Sequence, residues 1–353
     1  MECRDYGQLP DGRVVHEYTL SNGLGLTLTA ITLGGIVTRL CVPDARGESG
    51  NVVLGFDNLD DYVQRNPFFG ALIGRYGNRI AGASFELDGH AYPLTCNNGP
   101  NCLHGGTIGF GHRLWQAEPG EPGPGEAAVL VLRYTSPDGE QGFPGELQVR
   151  ARYALSARCN EWRIDYEATT DRPTVVNLTH HGYFNLAGEG SALGHRLALA
   201  ASRYSEVDAH LIPQRHAAVE GTPFDFRQPT VIESRIRQAH PQLVLAKGYD
   251  HNWLLDGPPG PDGLRLAATL EDPASGRRMQ VLTTEPALQF YSGNFLDGSL
   301  VGPGGRIYRQ GDGLCLETQH NPDSPHHEAG PDWPSTVLRP GEVWRSTTVH
   351  RFS

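Results

Sequence analysis

Short apolar/polar alternation, broken every few residues by Gly, Pro, Asn or Asp, runs through almost the whole chain. A period of two places successive side chains on opposite faces of a strand, whereas a helix needs a period near 3.6. Long helical periodicity is almost absent, so folds built on crossover helices are a poor fit. Residues 14–20 alternate, Ser21-Asn22-Gly23 offers a hairpin turn, and residues 24–29 alternate again. Asn-Gly tolerates the positive φ of a tight hairpin, and Asp88-Gly89 offers the same between residues 83–87 and 90–94. Further strand-like runs cover 127–134, 147–155, 162–169, 174–178, 264–270, 278–283, 288–292 and 343–352. Two short helices are expected, at Leu59–Gln64 and Ile232–Ala239. The Gly/Pro/Glu segment at 118–126 reads as an exposed loop, because strand patterning resumes on both sides without a change in composition. The expectation is an all-β sandwich or barrel, one domain over residues 1–353, with a few short helices.

Composition removes several function classes. The formal net charge is −11, so the basic footprint of a nucleic-acid binder is missing. Lys247 is the only lysine, and the arginines are dispersed rather than clustered as a phosphate subsite would need. Six cysteines are too few for a disulfide scaffold, and the Cys96/Cys102 spacing is not that of a zinc knuckle, so reduced thiols are expected. The first residues are charged, with no apolar leader, and no apolar run approaches the ~20 residues of a membrane helix. A cytoplasmic protein with no membrane partner is expected. No interface pattern separates a monomer from a homodimer.

Five segments hold polar residues where strand patterning would otherwise continue. In Gly74–Ile80, Asn78 and Arg79 could reach hydroxyls, or Arg79 could simply pair at the surface. In Asn101–Gly106, His104 precedes two glycines, either an ordinary turn or a backbone that must come close to something. Val175–Leu186 contains His180 and His181; strand neighbours point to opposite faces, which makes them a poor metal pair. Asp250 sits among aromatics in Gly248–Trp253, a combination that suits sugar binding and equally a turn capped by its own Asp. Glu317 follows an apolar run in Leu314–His320, where burial would raise its pKa and make it a candidate base. Gln289 lies in a similar strand-like context.

Together, GRYGNRI at 74–80, NCLHGG at 101–106, VNLTHHGYFNLAG at 176–188, GYDHNWLL at 248–255, EPALQFYSGNFL at 285–296 and CLETQHNPDSPH at 315–326 resemble the galactose mutarotase (aldose 1-epimerase) family. The resemblance implies a large antiparallel β-sandwich, the supersandwich, with an open cleft for a free monosaccharide. It implies that His181 is the general acid toward the ring oxygen and Glu317 the general base toward the anomeric hydroxyl. It implies sugar binding by Asn78, Arg79, His104, Asp250 and Gln289, and Tyr183 is expected to bind the substrate with them. Ring opening and reclosure need proton transfers but no redox step, so neither a metal nor an organic cofactor is expected. Where the family commonly has Asn-His, this chain has His180-His181, which leaves His180 as an alternative acid. His320, His326 and His327 read as a solvated cluster or as a feature on the substrate side. Other readings are a mutarotase of a phosphorylated or uncommon sugar, a silent carbohydrate-binding protein on the same fold, and a glycoside hydrolase or lyase pairing Glu317 with Asp250.

Overall fold

The computed structural model describes residues 1–353. A nine-stranded antiparallel sheet runs in the order 116–119, 126–136, 147–156, 161–170, 344–352, 278–283, 265–271, 196–199 and 230–231. A six-stranded sheet runs in the order 183–184, 314–319, 287–291, 250–254, 203–207 and 213–218. A five-stranded sheet is formed by the N-terminal strands over residues 2–51. The two larger sheets face one another across the main apolar core, which joins Trp162 and Val281 of one to Trp253, Phe290 and Leu316 of the other. Thr318 Oγ1 meets Thr348 Oγ1 across this interface at 2.5 Å. The expected antiparallel β-sandwich is therefore present, and alternation along each strand decides which residues enter its core.

The strand-like runs at 127–134, 147–155, 162–169 and 278–283 all fall within long ladder strands. Asp88-Gly89 forms the expected two-residue hairpin: Leu87 pairs with His90, and both turn residues have positive φ (52° and 76°). Asn22 behaves differently. The strands end at Ser21 and restart at Thr27, because Asn22 Oδ1 accepts from the Leu24 and Leu26 amides at 2.8 and 3.0 Å. A side chain here replaces the main-chain bonds of a tight turn. The run 174–178 is strand only at Thr174–Val175, since Val176 and Asn177 donate to Thr336 and Arg75 carbonyls instead. The loop expected at 118–126 has strand at both ends, at Gln116–Pro119 and from Glu126 onward.

The helix at Leu59–Gln64 forms as expected, capped by Asn58, which accepts from the Asp61 amide. The one expected at Ile232–Ala239 shrinks to Glu233–Ile236. A further helix, Pro241–Ala246, lacks the periodicity that would reveal it; its signals are Pro241 in the first turn and His240 as cap.

Arg75 ties these parts together beneath the segment that carries Asn78 and Arg79. Its side chain is buried and faces no carboxylate in direct contact. It donates to the carbonyls of Ser136, Pro137, Pro144 and Gly145 and to Ser136 Oγ, at 2.7–3.2 Å. Burial pulls its pKa down to about 10. Arg75→Met should cost more than ~2 kcal/mol of stability, because it strands several buried acceptors at once. A lower midpoint in urea unfolding is the expected result, and an unfolding free energy within ~0.5 kcal/mol of wild type would refute it.

Candidate active site

Strand Leu314–Gln319 sets the site. Leu314 and Leu316 point into the main core, so Cys315, Glu317 and Gln319 point the other way. Gln289 lies opposite Glu317 on one side, and Asn252 lies opposite Gln289 on the next strand. Asp250 shares the face of Asn252, and Gln289 Nε2 donates to Asp250 Oδ1 at 2.7 Å. The floor is thus a row of amides and carboxylates on the sheet face turned away from the core. Glu317 is 2% exposed, and its Oε2, like Gln289 Oε1, has no protein partner.

The wall comes from strand Thr179–His181, which pairs with Ala71–Ile73. His181 Nε2 approaches Glu317 Oε1 to 3.6 Å. Asn78 and His104 clasp one another: the His104 amide donates to the Asn78 carbonyl at 2.9 Å, and the Asn78 amide to His104 Nδ1 at 3.2 Å. Gly105 must be glycine for this turn, since its φ is +81° and a Cβ would stand 2.0 Å from the Gly74 carbonyl oxygen. Arg79 is buried, with Nε bonded to Asn98 Oδ1 at 3.0 Å. The ring of Phe68 packs on both His104 and His181. Tyr183 stacks on His181 at 5.1 Å while its hydroxyl donates to the Pro67 carbonyl, so it supports the imidazole rather than offering its hydroxyl to the cleft.

Burial dominates the electrostatics. It pushes Glu317 well above the usual carboxylate range; Asp250 adds to the rise and Arg79 opposes it. Asp250 is also raised by burial, against Arg79 and the bond from Gln289. Burial lowers His181 to about 3. His104 is lowered by burial and then by His181 and Arg79. The site therefore holds a carboxyl and an imidazole that are both driven toward their neutral forms.

His104, His181 and Glu317 offer ligand atoms within 4.8 Å of one another, close enough on distance alone for a metal. The donor chemistry does not fit one. His104 Nδ1 accepts the Asn78 N–H, so the ring proton sits on Nε2, and that nitrogen is a donor without a free lone pair. Two ligands remain, fewer than a protein zinc site uses.

An aldose 1-epimerase family model matches residues 16–351. The chain is 42% identical to bovine galactose mutarotase over 352 residues, covering 99% of this chain and 97% of that protein. It is 39% identical to Escherichia coli aldose 1-epimerase over 347 residues, covering 97% and 96%. The crystal structure of galactose 1-epimerase from Lactobacillus acidophilus superposes with a TM-score of 0.85 at 29% identity, over 100% of this chain and 98% of that one. The chain belongs to the aldose 1-epimerase family.

Within this family member, Asn78, Arg79, His104, His181, Asp250, Gln289 and Glu317 come together at one site, although they are spread over some 240 residues of sequence. His180 lies on the opposite face from His181. Its ring packs edge-on against Trp162 at 5.0 Å and near Tyr153, inside the core. It therefore has no access to the cleft. The late histidines have separate partners: His320, half-buried, bonds Glu285 at 2.7 Å, the exposed His326 bonds Asp323 at 2.6 Å, and His327 stacks on Trp333 at 3.5 Å. The loop after Gln319 folds back and gives each its own partner. Phe68 carried no sequence signal; Cys315 and Gln319 did, since they share strand parity with Glu317.

Both ring nitrogens of His180 lack a hydrogen-bond partner. Replacing a buried, unpaired polar ring by an apolar one of similar shape should be neutral or stabilising. His180→Phe is expected to keep stability within ~1 kcal/mol of wild type or raise it. Thermal unfolding checks this, and a drop of several degrees would contradict it.

Proposed function

We propose that this family member interconverts the α and β anomers of free aldoses, galactose and glucose among them, with Glu317 as base and His181 as acid. The observation that carries the reading is the buried His181–Glu317 contact of 3.6 Å, lined by hydroxyl-binding side chains. Both oxygens to be served, the anomeric hydroxyl and the ring oxygen, sit on a single carbon. Two groups this close can address both.

Glu317 takes the proton of the anomeric hydroxyl while His181 Nε2 gives one to the ring oxygen. The C1–ring oxygen bond breaks and an open-chain aldehyde results. C1 turns about the C1–C2 bond, and the ring hydroxyl attacks the other face. His181 takes back its proton and Glu317 returns one to the new anomeric oxygen, so no proton is gained or lost over the cycle. His104 Nε2–H and the Arg79 guanidinium supply donors toward sugar oxygens as charge develops. Asp250, with Gln289, is suited to accept sugar hydroxyls. All six cysteines are unpaired thiols, which supports a reducing, cytoplasmic setting.

The working pair carries one proton. That state exists between the two macroscopic pKa values of the pair. With His181 held at about 3 and Glu317 raised above the usual carboxylate range, the window opens above about 3 and extends past the pH at which an ordinary carboxyl ionises. Activity should be level through that range and fall on the alkaline side, as the pair loses its last proton. Polarimetry on freshly dissolved α-D-galactose tests both parts. Glu317→Gln and His181→Asn should each lower kcat/KM by ~10²-fold or more, while His180→Phe should stay within about threefold. Retained activity in His181→Asn together with loss in His180→Phe would reverse the assignment of the acid.

A further inference from the structure

His181 has two ring nitrogens, and strand Leu314–Gln319 faces both. Glu317 Oε1 stands 3.6 Å from Nε2, and Cys315 Sγ stands 3.5 Å from Nδ1. Cys315 and Glu317 are two residues apart on one strand, so they share a face and bracket the ring. Cys315 is fully buried, and its only polar contact is this one. We propose that Cys315 is a positioning residue: its sulfur accepts the His181 Nδ1–H, which fixes the tautomer and leaves Nε2 as the nitrogen that exchanges protons with Glu317 and the sugar. The proposal rests on the reading of His181 as the acid.

The argument has two parts. Burial raises Glu317 and lowers His181, so in the free protein the shared proton favours the carboxyl. A protonated carboxyl facing Nε2 needs a lone pair there, which requires the ring proton on Nδ1. Catalysis requires the same form, because an imidazolium that gives up its Nε2 proton is left with Nδ1–H. The partner of one ring nitrogen sets the state of the other. Many histidine acids have a carboxylate in that place, which holds the cation and weakens the acid. Burial, with the nearby Glu317 and Asp250 charges, keeps the Cys315 thiol neutral. A neutral sulfur is a weak acceptor, enough to orient the ring without stabilising its cation. The imidazolium therefore stays a strong acid, as protonation of a weakly basic ring oxygen demands. The carbonyl of His181 itself is a further acceptor near the ring and raises the imidazole's pKa, against the larger effect of burial.

The test combines ¹⁵N-histidine NMR of the full chain with kinetics. Wild type should show His181 as the Nδ1–H tautomer at neutral pH, assigned by its absence from His181→Asn. An Nε2–H tautomer overturns the proposal whatever the Cys315 variants do. Cys315→Ala should lower kcat about tenfold with KM within twofold and should give a mixed tautomer; this is a fraction of the ~10²–10⁴ that a positioned acid contributes. Cys315→Ser keeps an acceptor and should recover most of the rate and the single tautomer. If Cys315→Ala retains both kcat and tautomer, the thiol has no positioning role and the proposal fails, even with His181→Asn inactive. If His181→Asn is fully active, the reading of the acid fails, and this inference with it.

Discussion

Everything at the site depends on how strand Leu314–Gln319 is held between the two large sheets. Leu314 and Leu316 are buried in the main core, and Thr318 bonds Thr348 across it. Those contacts fix which face of the strand is which. Glu317 can then point only toward the cleft. The ladder also fixes position along the strand, pairing Glu317 with Gln289, and Gln289 with Asn252. A slip of one residue would send Glu317 into hydrocarbon and Leu316 into the cleft, so the core excludes it. The catalytic geometry is thus a by-product of packing that is apolar and non-directional in origin.

The cost of this arrangement is a set of buried, incompletely bonded polar atoms. Glu317 Oε2, Gln289 Oε1, Asn252 Oδ1 and both amide atoms of Gln319 lack protein partners. Such groups destabilise a fold by desolvation. The surrounding β core has to offset that cost, and Arg75 shows how fully polar groups are bonded where no chemistry is intended. The same desolvation makes the site reactive. It brings a carboxylate and an imidazole toward their neutral forms, so a proton can pass between them and a sugar without a large change in solvation.

The sandwich and most long strands were legible from period-two patterning, because each strand shows one face to the core and one away from it. The same rule puts His180 and His181 on opposite faces, and the structure gives them opposite surroundings. Parity with Glu317 also marks Cys315 and Gln319, a signal the sequence reading did not use. Where the reading failed, side chains or loops had taken over main-chain hydrogen bonding. Asn22 bonds two amides and lengthens its turn, and Asn177 leaves the ladder for the Arg75 carbonyl. The separate partners of the late histidines, Glu285, Asp323 and Trp333, are brought in by loop folding, which has no period to read.

Grouping functions on one strand has a mechanical consequence. Glu317 and Cys315 are two positions of the same rigid segment, so their separation is set by strand geometry and not by loop motion. His181 lies on a different strand, backed by Phe68 and Tyr183. Its ring is therefore registered against a fixed pair of partners, one at each nitrogen. Loops supply Asn78 and His104, the residues proposed to bind the sugar, clasped to one another by two hydrogen bonds. Proton transfer tolerates little error in distance, whereas hydroxyl recognition can adjust over several donors. Placing the transferring groups on strands and two of the recognising groups on clasped loops matches rigidity to the step that needs it.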